Sequence, residues 1–216
     1  MKLWPFDYLR PGLGHDHCAD VLLGSYDVPF NPATPPVILD IGANIGAFTR
    51  WASLRWPGCE IHAYEPNPDN FALLKRTVAE ICLRESVQAR TYHTQVANRR
   101  ARAELFNGRY NCGEHSLFGS GNGRGSVTVD VIPADELPRA DILKMDTEGA
   151  EPMILSTLLD AGRLRELSAI MFEFHHDTAA EAMVSMLISA GFVETGRKVI
   201  SQHRGEVKFV RDDVKP

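Results

Sequence analysis

The run Val37-Ile38-Leu39-Asp40-Ile41-Gly42-Ala43-Asn44-Ile45-Gly46 constrains the fold more than any other stretch of this chain. A mostly apolar run ends in a turn whose glycines stand four apart, and a helix-like segment follows. A strand that is apolar except for Asp40 is the pattern of a central parallel strand covered on both faces. A turn poor in side chains after such a strand is where open α/β sheets admit a nucleotide-like ligand. Two glycines alone also fit a plain strand-to-helix turn, so the rest of the chain has to decide.

Beyond this run the chain alternates. The pattern predicts helix over Ile45 to Trp56, strand over Glu60 to Tyr64, helix over Asp69 to Arg84 and strand over Val87 to Tyr92. Short alternating runs at Arg102 to Phe106 and Ser126 to Ile132 flank a Gly/Asn/Ser-rich loop and read as a β-hairpin excursion. Strand over Asp141 to Met145, helix over Ala150 to Ala161, strand over Ser168 to Phe174 and helix over Thr178 to Ala190 come next. Phe192 to Ile200 and Val207 to Arg211 close the chain as paired strands. The expected fold class is α/β: a doubly wound, mostly parallel sheet with a C-terminal antiparallel hairpin.

Residues 1–36 read as an irregular N-terminal segment, broken by Pro5, Pro11, Pro29, Pro32, Pro35 and Pro36, with Trp4, Phe6 and Tyr8 fit to pack as a lid. Residues 37–216 form the remaining domain. The net charge of −5 argues against general nucleic-acid binding. No apolar run approaches the roughly 20 residues of a bilayer span. Met1 to Pro5 lacks a signal-peptide core, and Cys18, Cys59, Cys82 and Cys112 form no close pair. The expectation is a cytoplasmic protein with no membrane partner, compatible with a homodimer.

Glu65, just after the second strand, is placed to accept both hydroxyls of a ribose. A dinucleotide site wants the tighter G-x-G-x-x-G turn, and Asp40 just before this loop would repel a pyrophosphate. A cofactor with a cationic tail fits better. That points to S-adenosylmethionine, its sulfonium and ammonium drawn to Asp40 and the other carboxylates at the strand ends. An NAD-dependent oxidoreductase is the less favoured alternative.

Three blocks, Leu39 to Gly46, Tyr64-Glu65-Pro66-Asn67-Pro68 and Leu143-Lys144-Met145-Asp146-Thr147-Glu148-Gly149-Ala150-Glu151, resemble the signatures of the FkbM family of S-adenosylmethionine-dependent methyltransferases. The resemblance runs from about Val37 to Phe174. It implies a Rossmann-like class I methyltransferase fold and methylation of a hydroxyl on a small molecule, sugar or natural product. By position, the loop of Asp40, Gly42, Ala43, Asn44 and Gly46 would hold the methionine part of the cofactor. Glu65, with Pro66 and Asn67, would take the ribose. Gln95 and Val96, within Thr94 to Ala97, would lie by the adenine, and Asp146 by the reacting centre. The chain is short for the pattern, and Thr147 stands where an aliphatic residue is common.

Asp146 and Glu148 face one crevice and suit binding a cation, orienting a hydroxyl or capping a helix. The sequence shows no third metal ligand, and no metal is expected. A hydroxyl acceptor must lose its proton, and His175 and His176, after the last central strand, are candidate bases, with His115 a further one. The same pair also reads as surface histidines at a helix start. His15-Asp16-His17-Cys18 has metal-ligand chemistry in it but reads as carrying no site, and Arg99-Arg100-Ala101-Arg102 reads as a solvated edge, with docking of an anionic acceptor the alternative. The expected partner is a small-molecule or glycan acceptor; a non-catalytic module that keeps the fold and the cofactor is the alternative.

Overall fold

The computed structural model describes residues 15–106, 125–175, 177–201 and 204–214. The aromatic residues expected in a lid, the histidine at 115 and His176 lie outside them.

The strands are β1 (Val37–Ile41), β2 (Glu60–Tyr64), β3 (Gln88–Tyr92), β4 (Gln95–Ala97), β5 (Ala101–Phe106), β6 (Ser126–Pro133), β7 (Ile142–Met145), β8 (Ala169–Phe174), β9 (Phe192–Ser201) and β10 (Arg204–Arg211). The helices are α1 (His15–Leu22), α2 (Ala47–Arg55), α3 (Pro68–Arg84), α4 (Glu151–Asp160) and α5 (Asp177–Ser189). A seven-stranded sheet has the order β3-β2-β1-β7-β8-β10-β9. Its first five strands are parallel, and β10 runs antiparallel to both neighbours. A second, three-stranded sheet joins β4, β6 and β5. The hairpin of β5 and β6 is the expected excursion; β4 is too short to carry a periodic signal.

The strand order reverses at β1. The chain steps outward to β2 and β3 on one side, then returns to β7 and β8 on the other. At such a switch point the loops after adjacent strands turn apart and leave a crevice beyond the C-terminal ends. Here those ends are Gly42 after β1 and Asp146 after β7.

Side chains alternate across the sheet with the period of two that a strand imposes. Leu39, Ile41, Leu143, Met145, Ile170 and Phe172 face one core, closed by Ile154 and Leu155 of α4 and Leu187 of α5. Ile38, Ile61, Ile142 and Met171 face the other, closed by Phe48 and Trp51 of α2. Asp40 and Lys144 therefore share the α2 side.

That second core also takes in the segment read as irregular. Residues 15–22 are helical, and Cys18, Val21, Tyr26 and Phe30 are buried against α2 and the sheet. The Trp56 indole donates to the Phe30 carbonyl at 3.2 Å, and Arg55 pairs with Asp27 at 2.9 Å. Each buried aromatic here is worth roughly 2 kcal/mol. The prolines stop long elements but leave room for one short helix.

Candidate active site

The β1–α2 turn is tied to β2 by two backbone bonds, Gly42 N–H and Ala43 N–H to the Tyr64 carbonyl at 3.0 and 2.9 Å. Gly42 has φ 72°, and a Cβ there would lie 1.8 Å from the Asp146 carbonyl oxygen. Only glycine lets the two loops of the switch point approach this closely. Gly46 does different work. A Cβ on it would meet Thr77 Cγ2 at 2.9 Å and Leu74 Cδ1 at 3.0 Å, so its bareness serves the packing of α2 on α3.

Glu65 is buried where β2 ends. One carboxylate oxygen accepts the Asn44 N–H and the other the Asn67 N–H, both at 2.8 Å. A carboxylate has about four acceptor positions, so each oxygen keeps one for a hydroxyl. Burial raises the Glu65 pKa to about 7, against the pull of those two N–H groups and of Lys144. Asn67 also caps α3, its side-chain oxygen accepting from Asp69 N–H at 2.9 Å and Asn70 N–H at 3.1 Å, with Pro68 at the first helical position. This cap fixes the N–H that holds Glu65.

Asp40 corrects the electrostatic expectation. It is wholly buried: Thr49 donates to Oδ2 at 2.6 Å, and Lys144 Nζ lies 3.2 Å from Oδ1. Lys144 also donates to the Gly42 carbonyl at 2.7 Å. Asp40 and Lys144 are register partners on adjacent strands, so their charges meet inside the protein. Asp40 shapes the loop from behind and offers no open charge to a cofactor.

The opposite wall follows β7. Glu151, at the start of α4, is buried and folds back on the turn before it. Its Oε1 accepts the Thr147 N–H at 2.6 Å and the Thr147 hydroxyl at 2.8 Å, and its Oε2 accepts the Gly149 N–H at 3.0 Å. The Thr147 hydroxyl in turn accepts the Ala150 N–H at 3.2 Å. The threonine that departs from the family pattern is thus part of this lock. Glu148 has φ 54° and Asn44 φ 52°. A non-glycine residue in the left-handed region costs about 1 kcal/mol or more, and both of these face the cleft.

Glu148, kept outside the helix by this turn, reaches His175 just after β8, Oε2 to Nε2 at 3.0 Å. The same nitrogen lies 3.5 Å from buried Glu173, which also pairs with Arg204. Burial opposes a charge on His175, but Glu148, with Glu151 and Asp146 behind it, raises its pKa to about 9. The pairing with Glu148 favours the imidazolium form of His175, which must shed a proton before it can accept one.

These walls enclose one cleft. Gly42, Asn44, Glu65, Pro66, Gln95 and Asp146 line it, together with Asn70, Thr147 and Glu148. Of the other residues expected at the cofactor, Ala43 packs with Leu74 and Val78, and the Val96 side chain lies in the α4 core. Gly46 and Asn67 support the walls from behind. Asn70 and the role of Glu151, named only as the end of the third block, escaped the sequence reading: an asparagine in a first helical turn and an acid at a helix start look like ordinary capping residues. The Asn44 Oδ1 atom is buried without a hydrogen-bond partner among the described residues. With the open positions on Glu65 it gives the cleft the polar groups a nucleoside needs. The arginines at 100 and 102 pair with Glu136 and Asp130, as surface residues do.

The fold is that of class I methyltransferases. Precorrin-6y C5,15-methyltransferase from Geobacter metallireducens GS-15 superposes with a TM-score of 0.50 at 16% identity, over 90% of this chain and 87% of that one. Magnesium protoporphyrin IX methyltransferase from Synechocystis PCC 6803, solved with bound SAM, gives 0.50 at 11% identity, over 91% and 77%.

Residues 40–194 match the methyltransferase FkbM domain, and the chain belongs to this family of S-adenosylmethionine-dependent methyltransferases. It is 28% identical over 189 residues to 31-O-demethyl-FK506 methyltransferase FkbM of Streptomyces tacrolimicus, covering 72% of each chain. It is 38% identical over 64 residues to methyltransferase sdnD of Sordaria araneosa, covering 30% of this chain and 22% of that one. Among the described residues, no helix is long and apolar enough to cross a membrane.

Proposed function

We propose that this methyltransferase acts on a hydroxyl group of a small molecule or glycan, with the cofactor seated between Gly42 and Asp146. The observation that carries the seat is Glu65, a buried carboxylate whose two oxygens each hold one backbone N–H and keep one position open to the cleft. The hydroxyl acceptor is supported by the likeness to a relative whose name describes methylation of an oxygen.

S-adenosylmethionine supplies a methyl carbon already activated by its sulfonium. The chain's contribution is placement, and holding two reactants in line accounts for much of such an acceleration. Glu65 takes the ribose hydroxyls. The bare backbone of Gly42 and the buried amide of Asn44 bound the middle of the cleft. Asp146 and Glu148, on the wall nearest His175, face the point where the acceptor has to enter. The Glu151 lock keeps that wall in one conformation.

The test is mass spectrometry of a panel of sugar and polyketide alcohols incubated with the protein and S-adenosylmethionine. Gain of one methyl, placed on oxygen by NMR, supports the reading. Methyl found on nitrogen or carbon overturns the hydroxyl assignment.

A further inference from the structure

The fold brings together three side chains that the sequence keeps apart. Asp146 and Glu148 follow β7, His175 follows β8, and one ligand atom from each lies within 4.8 Å of the others. The sequence lacked a third ligand for a cation beside the two acids; parallel pairing of β7 with β8 supplies it. We infer that Asp146, Glu148 and His175 form a binding site for a divalent cation beside the methyl-transfer cleft.

Other observations point the same way. Both ring nitrogens of His175 are buried, and among the described residues neither has an aligned hydrogen bond, although Nε2 stands 3.0 Å from Glu148. Glu173, wholly buried and against the same imidazole, keeps its Oε2 without a hydrogen-bond partner among the described residues. Its register partner Glu206 is buried too, its own Oε2 without a hydrogen-bond partner among the described residues. Asp146, Glu148, Glu151 and Glu173 all act on His175, while Glu173 also pairs with Arg204 and Glu206 faces Lys198 and Lys208. Two carboxylates and one imidazole, which sheds its proton to solvent as the ion displaces it, are a hard, mixed oxygen–nitrogen donor set suited to manganese or a similar first-row ion. The Glu151 lock orients the acidic turn, as groups behind metal ligands commonly do.

Resting on the hydroxyl reading above, the ion takes the acceptor oxygen as a further ligand and lowers its pKa. The hydroxyl proton leaves to solvent. The oxygen then forms its bond to the methyl carbon as the carbon–sulfur bond breaks, and that electron pair stays on sulfur.

The test is an EPR titration of Mn2+ into the full chain without nucleoside or acceptor. About one ion per chain is expected, with nitrogen coupling from a ligated imidazole in pulsed spectra. Glu148→Gln is expected to weaken binding about tenfold or more, and His175→Gln to remove the nitrogen coupling as well. No saturable binding below about 1 mM, or a bound ion without nitrogen coupling in the unmodified chain, overturns the site. The readout is independent of catalysis. Methyl transfer to a hydroxyl at an unchanged rate in EDTA would keep the proposed function and remove the ion from it. Mn2+ binding with methylation only of nitrogen would keep the ion and remove the hydroxyl.

Discussion

Lys144 lies 3.2 Å from Asp40 in the interior and at the same time donates to the carbonyl of Gly42 at 2.7 Å. The acid of the first signature block therefore meets a buried lysine, which in turn holds the loop. Breaking a buried pair strands a charge, and Asp40→Asn is expected to cost about 3 kcal/mol. Lys144→Met should cost a similar amount. Because each loss includes the stranded partner, the double variant should recover at least about 1 kcal/mol relative to the sum. Urea unfolding of the four proteins measures this; full additivity would contradict the pairing.

Gly42 and Gly46 have equal standing in the sequence and different duties in the structure. Gly42→Ala drives a Cβ into the backbone of Asp146, whereas Gly46→Ala meets side chains of α3. Gly42→Ala is expected to weaken S-adenosylhomocysteine binding at least tenfold, about 1.4 kcal/mol or more. Gly46→Ala should lower stability by about 1–3 kcal/mol with the smaller effect on affinity. Calorimetric titration and thermal unfolding of both variants separate the two, and a reversed ranking would overturn the assignment.

Glu65 gives the site a pH dependence. Its pKa is raised to about 7 by burial, above the value near 4.5 of the unfolded chain. The stability it contributes is complete below pH 4.5 and is lost as pH rises through about 7. Glu65→Gln should flatten that part of the stability profile, measured by denaturation between pH 5 and 8. Affinity runs the other way, since the ionised carboxylate is the better acceptor of ribose hydroxyls. S-adenosylhomocysteine should bind more tightly on the alkaline side of pH 7, and Glu65→Gln should weaken it by about 1–3 kcal/mol and remove the dependence.

Glu151 touches no open part of the cleft, yet it fixes the Asp146 wall. Glu151→Ala leaves the buried Thr147 and half-buried Gly149 N–H groups without their acceptor and is expected to cost about 2–3 kcal/mol of stability. Methyl transfer should fall more than cofactor affinity, because the loosened turn carries Asp146 and Glu148. Steady-state kinetics beside calorimetry would show this; an equal loss in both would make the lock purely structural.

Much of this was legible in the chain. β1 and β2 lie where their apolar runs end against glycine and proline, and helix α3 begins beside its predicted start because Asn67, Pro68 and Asp69 are unambiguous capping chemistry. Two things were hidden. Cys18, Val21, Tyr26 and Phe30 are spaced among prolines with no sustained period, so a short helix and its buried tail looked irregular. The second was pairing across the sheet. That Asp40 meets Lys144, and that His175 reaches Glu148, depends on β7 lying between β1 and β8, a fact of strand order that no local pattern contains. The electrostatic expectation for Asp40 failed for that reason: the nearest cation was inside the protein.

The most direct measurement is a crystal structure of the protein with S-adenosylhomocysteine. The expected density places both ribose hydroxyls on the Glu65 carboxylate, with the sulfur end toward Asp146. A nucleoside bound away from Glu65, or a cleft between Gly42 and Asp146 left empty at saturating ligand, would contradict the site.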